Sequence, residues 1–317
     1  GIRVFRAGRD GFVSTNDLSD QGLEEALQQA LAMLQLNAST LSSGSSFDGL
    51  GPLRDYGSSK NNWLDRTPDL VTITQRLLEG THCLEKRGQH LDVRRGSFAR
   101  DWQEVLVAAS DGTFARDIRL HQSSGLSVLA ADGEHRSSIA RRYGSSDRPD
   151  DLCHWNVDAS AQEVCDSAAK MLRADYVDGG QMPVVLANRF GGVIFHEACG
   201  HLLETTQVER GSTPFSDSIG ESIAHSAVTA IDEGVSGGAF GSISMDDEGM
   251  EPQRTVLIEN GILQCFLSDR AGEMRTGHAR TGSGRRQSHG FAAASRMRNT
   301  YIDAGPHSID DLISSVE

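Results

Sequence analysis

Apolar positions recur at helical spacing near the start of the chain. Leu23, Ala26, Leu27, Ala30, Leu31 and Leu34 fall at i, i+3, i+4, i+7, i+8 and i+11, the stripe of an amphipathic helix. A short extended piece over residues 2–6 precedes it. Between residue 37 and about residue 62, Ser, Gly and Asp dominate, and Gly44, Gly49, Gly51, Pro52 and Gly57 break any period, so this stretch reads as loop. Thr67-Pro68 then supplies a cap and a first-turn proline for a second helix. Its stripe of Leu70, Ile73, Leu77, Leu78 and Leu84 ends near Gly88.

From about residue 90 to residue 143 the period changes to two. Val105 and Val107, then Phe114, Ile118 and Leu120, then Leu126, Val128 and Ala130 alternate with polar positions, and Asp111-Gly112 and Asp132-Gly133 separate the runs. That pattern predicts an antiparallel meander of about four strands. A helix over residues 159–174 follows, carrying Val164, Ala168, Met171 and Leu172. Residues 182–187 then read as a buried strand, with a helical run starting near Val193 after Gly191-Gly192. Asn260-Gly261 between two apolar runs predicts a further hairpin. The fold class expected is α+β: a helical or α/β part over 1–89, a β-meander with its linking helix over 90–175, and a mixed α/β part over 176–317.

Composition narrows the partners. The formal charge of −14 argues against general nucleic-acid binding, which needs a basic surface. No apolar run approaches the roughly 18 to 20 residues of a membrane helix. Five cysteines without a CxxC pair suit a reducing compartment, so the cytoplasm is expected. The sequence opens at Gly1 within a strand pattern and stops at Glu317 within a helical one, which reads as part of a longer chain.

The sharpest chemical feature is His196-Glu197-Ala198-Cys199-Gly200-His201, an HExxxH on the predicted helix. Two imidazoles beside a carboxylate are what a hydrolytic zinc site needs: neutral nitrogens for the ion and a base for its water. The familiar spacing, HExxH, puts both histidines on one helical face. Here they stand five apart, and at about 100° per residue their side chains diverge by roughly 140° on a regular α-helix. A π-bulge would bring positions i and i+5 together, and Gly200 makes a local distortion easier. A bulged or broken helix is therefore expected between Glu197 and His201. Glu204 adds a carboxylate three residues on.

Around this motif, six blocks occur in a fixed order: Gly191-Gly192-Val193-Ile194-Phe195 leading into the HExxxH, Glu209-Arg210-Gly211-Ser212, Met245-Asp246-Asp247-Glu248-Gly249, Ile258-Glu259-Asn260-Gly261-Ile262-Leu263, Thr281-Gly282-Ser283-Gly284-Arg285-Arg286, and Arg296-Met297-Arg298-Asn299-Thr300-Tyr301. Together they resemble the TldD/PmbA family of metalloproteases. The close resemblance covers residues 176 to 317, and the HExxxH resembles the TldD type rather than the PmbA (TldE) type. It implies a zinc-dependent peptidase cleaving unfolded or modified peptides, with His196 and His201 as metal ligands and Glu197 as general base. It also implies a third ligand, a cysteine downstream of the Asn299-Thr300-Tyr301 block and so beyond this chain, and a homodimer or a heterodimer with a PmbA-type subunit.

Arg270, Arg275, Arg280, Arg285, Arg286, Arg296 and Arg298 make a basic segment in an acidic chain. Gly282, Gly284, Arg285 and Arg286 are candidates for substrate binding, with the arginines pairing a substrate carboxylate. The alternative is that the arginines satisfy internal acids such as Asp246 and Asp247, or a subunit interface. Cys265, His225, His278 and His289 read as structural residues, and Asp246-Asp247-Glu248 as a turn. The rival to an enzyme is a non-catalytic peptide-binding or scaffold subunit of the same fold.

Overall fold

A computed structural model of the chain describes residues 1–36, 49–88, 90–188, 191–234 and 237–316. It opens with a hairpin of β1 (Ile2–Arg6) and β2 (Arg9–Val13), turned by Ala7 and Gly8 at φ of 47° and 76°. Helix α1 (Asp20–Met33) packs on this hairpin, its first turn closed by Ser19, whose hydroxyl accepts from the Gly22 amide. Much of the expected loop, residues 37–48, lies outside the described residues. The rest of it holds short elements: β3 (Arg54–Asp55), a 3₁₀ turn at Ser58–Lys60, and α2 (Trp63–Arg66) beyond its end.

Helix α3 (Leu70–Arg87) is capped by Asp69, which accepts from the Thr72 amide at 2.7 Å. The cap expected at Thr67-Pro68 is thus two residues early, because the carboxylate directly ahead of the apolar stripe reaches the free N–H groups first. The meander has three strands rather than four: β4 (Leu91–Ala108), β5 (Phe114–Asp132) and β6 (His135–Ser146). The polar stretch at 121–125 does not break β5, because its backbone pairs with β4 on one side and β6 on the other. The side-chain N–H of buried Gln122 donates to the Arg148 carbonyl at 2.7 Å.

Helices α3 and α4 (Val157–Leu172) cover one face of this sheet. Ile73 and Leu84 of α3, Leu126, Val128 and Ala130 of β5, and Val157, Ala161 and Val164 of α4 form its core. Gly80 sits where a Cβ would stand 2.8 Å from the Leu126 side chain, so glycine sets how closely α3 approaches the sheet.

The strand expected over residues 182–187 does not form. The segment has no strand pairing, and Met182, Val184 and Leu186 are exposed. An apolar run alone does not make a strand without a sheet edge to join, and none of the described strands takes it.

The C-terminal region is built from α5 (Gly191–Phe195), a π turn and a 3₁₀ turn at 196–203, and α6 (Thr205–Glu209). It continues with β7 (Ala230–Glu233), β8 (Arg254–Glu259), β9 (Ile262–Leu263), α7 (Arg270–Thr276), β10 (Gly284–Arg285), β11 (Ala294–Ser295), β12 (Asn299–Ile302) and α8 (Ile309–Ser314). Its sheet runs in the order β12-β7-β8-β9. The β8–β9 hairpin turns on Asn260 and Gly261, both at positive φ, as expected for Asn-Gly. Leu203, Ala230, Leu257, Ile258, Leu263, Phe266, Leu267 and Met297 form a second core. The far end of the β4–β5 ribbon reaches this region through Val105 and Ala115, which pack with Met245. The molecule is α+β throughout, and among the described residues no helix is long and apolar enough to cross a membrane.

Candidate metal centre

The HExxxH lies on a helix that changes pitch where the spacing demands it. After α5, residues His196–Gly200 form a π turn in which the His201 amide donates to the His196 carbonyl, five residues back. That i→i+5 bond brings the two histidines together edge to face, through the bulge the sequence predicted. Their ring centroids are 4.6 Å apart and their planes cross at 82°. One ligand atom each from His196, Glu197 and His201 falls within 4.8 Å of the others. Phe195 and Cys199 pack against the second core and fix the helix, leaving His196 and His201 half-buried and Glu197 exposed.

Gly200 has a different role from the one expected. Its backbone is ordinary right-handed helix, φ −53° and ψ −51°, so the pitch change does not draw on glycine's freedom. A Cβ there would collide with the Met297 sulfur, so it is the close approach of the Met297 side chain that needs glycine.

Glu204 is fully buried directly beneath His201. One carboxylate oxygen lies 3.0 Å from His201 Nδ1, and the other accepts from Arg296 at 2.9 Å. With Nδ1–H donating to Glu204, Nε2 is the nitrogen left free on His201. Burial pushes the Glu204 carboxyl up, against the opposing pull of Arg296 and His201. Burial also lowers the pKa of His196, with a smaller contribution from His201, which favours the neutral imidazole a metal requires. Glu204 was visible in the sequence, but Arg296, 92 positions away, was not tied to it by any local pattern.

A cavity of about 560 Å³ opens onto the pair, lined by His196, His201, Arg285, Arg286, Arg296 and Met297 among others. Of the candidate substrate-binding residues, Arg285 and Arg286 thus share a cavity with the histidines. Gly284 sits in β10 with its N–H donated to Asp246 at 3.0 Å. Gly282, at φ +68°, backs onto Glu251 and Pro252, and its carbonyl accepts from Arg298.

Among the remaining candidates, Asp246, His225, His278, Cys199 and Cys265 are engaged in local contacts. Asp246 holds its turn by accepting from the Glu248 and Met250 amides, both at 2.9 Å. His278 packs on Phe266, and His225 Nδ1 accepts from the Ala227 amide. Cys199 and Cys265 both lie against the second core, where burial raises their thiol pKa.

Sequence models of the PmbA/TldA metallopeptidase family match three stretches: domain 1 at residues 1–34, the central domain at 68–172 and the C-terminal domain at 179–317. A metalloprotease of Methanocaldococcus jannaschii is 37% identical over all of this chain and 69% of its own length. The chain belongs to the TldD/PmbA family. A metalloprotease TldD homologue of Haemophilus influenzae is 31% identical, again over the whole chain. The chain spans 66% of the length of that relative and of a second TldD homologue, from Buchnera aphidicola. Among solved structures, TldE from Thermococcus kodakarensis superposes with a TM-score of 0.69 at 20% identity, covering 99% of this chain and 70% of its own. A Thermotoga maritima protein described as a putative modulator of a DNA gyrase gives 0.73 at 16%, covering 99% and 68%. At these identities the two structures establish a shared TldD/PmbA fold.

Proposed function

We propose that this chain carries the metal-binding and general-base residues of a zinc-dependent peptidase acting on unfolded or modified peptides. The observation that supports it most is the π turn, which brings His196, Glu197 and His201 into one group. Two neutral imidazoles suit zinc, and a cysteine from beyond residue 317, implied by the family resemblance, would be the third ligand. Bound zinc would polarise the scissile carbonyl and acidify a water molecule. Glu197, the exposed carboxylate of the group, takes the proton from the attacking water and returns it to the leaving amine. Glu204, braced by Arg296, keeps His201 in the tautomer with Nε2 free. Relatives named as metalloproteases support the reading. The same family resemblance favours a dimer, with a second copy or a PmbA-type subunit.

Metal analysis of the intact protein tests it. About one zinc per chain is expected, lost in His196→Ala. Glu197→Gln should keep the metal and lose peptide cleavage, and cleavage by that variant would refute the assigned base. An intact protein without metal would instead favour a non-catalytic, peptide-binding subunit.

A further inference from the structure

Seven arginines lie between residues 270 and 298, and five are paired with carboxylates. Arg270 meets Asp111 at 2.6 Å, Arg280 meets Glu248 at 3.2 Å, Arg296 meets Glu204 at 2.9 Å and Arg298 meets Asp232 at 2.6 Å. Arg275 pairs with both Glu209 and Asp10. Arg285 and Arg286 have no carboxylate within ion-pair distance among the described residues. Among the described residues, the Arg285 guanidinium donates to the Met297 carbonyl alone, at 3.2 Å. Arg286 uses its backbone N–H on Asp247, whose other oxygen is taken by Arg119 at 2.7 Å.

The two unpaired guanidinium groups both line the cavity with His196 and His201, beside the paired Arg296. They also line an adjoining cavity of about 340 Å³, whose other charged and titratable groups are Arg119, His121, His289, Asp101 and Asp247, with Asp247 already held by Arg119 and the Arg286 amide. A guanidinium withdrawn from water without a carboxylate in direct contact is costly, and burial lowers the pKa of Arg285 against the weaker opposing pull of Asp247 and Asp232. Its planar fork matches a carboxylate with two parallel hydrogen bonds.

We infer that Arg285 and Arg286 bind a carboxylate of the peptide being cleaved, at the wall of the His196/His201 cavity. The inference rests on the peptidase reading and names its substrate class: peptides that place an anionic group beside the scissile bond. That group is either the peptide's own C-terminal carboxylate or an Asp or Glu side chain.

The test compares matched peptides with the intact protein: a free acid and its C-terminal amide, each with Glu or Gln at the residue following the scissile bond. Loss of a charge-assisted pair should lower kcat/KM about ten- to hundredfold. A preference that follows the free acid assigns the C-terminus, and one that follows Glu over Gln assigns the side chain. The double variant Arg285→Gln/Arg286→Gln should bring the preferred ratio to about one. Should that variant not fold, the wild-type ratios decide alone. Equal kcat/KM for all four peptides would overturn the inference. If none is cleaved, the peptidase reading fails instead. Fluorescence anisotropy of N-terminally labelled peptides then still reads the carboxylate preference, and equal affinities would overturn it.

Discussion

Replacing Arg298 with Ala should destabilise the protein by about 3–5 kcal/mol, the usual cost of stranding one member of a buried ion pair. The side chains of Arg298 and Asp232 are both fully buried, with Nε 2.6 Å from Asp232 Oδ1. The guanidinium also donates to the Thr281 and Gly282 carbonyls, each at 3.1 Å, and to the Thr255 hydroxyl at 3.2 Å. Truncation leaves Asp232 charged, with the Arg298 amide at 2.7 Å and the Thr300 hydroxyl at 2.5 Å as its remaining donors. The double variant Arg298→Met/Asp232→Asn removes the stranded charge and should recover part of the loss. It cannot recover all of it, because the Gly282 carbonyl loses its donor at about 1 kcal/mol or more, while the Thr281 carbonyl keeps only the Gln253 amide at 3.3 Å. Guanidinium chloride unfolding followed by far-UV circular dichroism measures the change. Tryptophan emission is the wrong probe, since Trp63, Trp102 and Trp155 all lie outside the second core. Hydrogen exchange of the β7 and β8 amides should localise the loss. A change below about 1 kcal/mol would show that Asp232 neutralises or rehydrates on losing its partner, refuting the argument.

Glu204→Gln in the intact protein should weaken zinc binding about ten- to hundredfold in chelator competition, because the carboxylate orienting His201 is lost; unchanged affinity would remove Glu204 from the site. Gly200→Ala should cost about 1–3 kcal/mol through the contact with Met297, and Met297→Ala should relieve it in the double variant. If the Gly200→Ala cost persists with Met297 truncated, the steric account is wrong. Burial, reinforced by Asp269 and Asp246, raises the Glu248 carboxyl from 4.5 to about 7. The folded state therefore holds that proton more tightly than the unfolded chain, and stability at this site falls as pH rises from about 4.5 through about 7. The stability difference between wild type and Glu248→Gln should shift by about 2–3 kcal/mol in favour of the variant between pH 5 and pH 8. A pH-independent difference would contradict this.

Local rules made much of the structure legible. Helical spacing revealed α1 and α3, Asn260-Gly261 revealed the β8–β9 hairpin, and the five-residue step from His196 to His201 required the π turn. What escaped depended on partners distant in sequence. The run at 182–187 has strand composition, but only a sheet edge could have made it a strand. The polar residues at 121–125 suggested a break that pairing on both sides forbids. The hairpin at β1–β2 was half-seen because Arg9–Val13 lacks alternation strong enough to mark a strand. The Glu204–Arg296 and Asp232–Arg298 pairs join positions 92 and 66 apart, and no periodicity links residues over such distances.

The β4–β5 ribbon bears on how the two halves of the chain are held together. Its strands of 18 and 19 residues extend about 60 Å, whereas the 18 residues of α3 cover about 27 Å. One end belongs to the core beneath α3 and α4. The other is clamped to the second region by Met245 packing and by Arg119, which holds the Met245 carbonyl at 2.8 Å and Asp247 at 2.7 Å. A single ribbon thus contributes side chains to the core beneath α3 and α4 and to the Met245 cluster, and links them through the ladder between its strands. The His196/His201 cavity, with its rim around Gln287, Phe291 and Ala292, is thereby carried on the same frame as the core beneath α3 and α4.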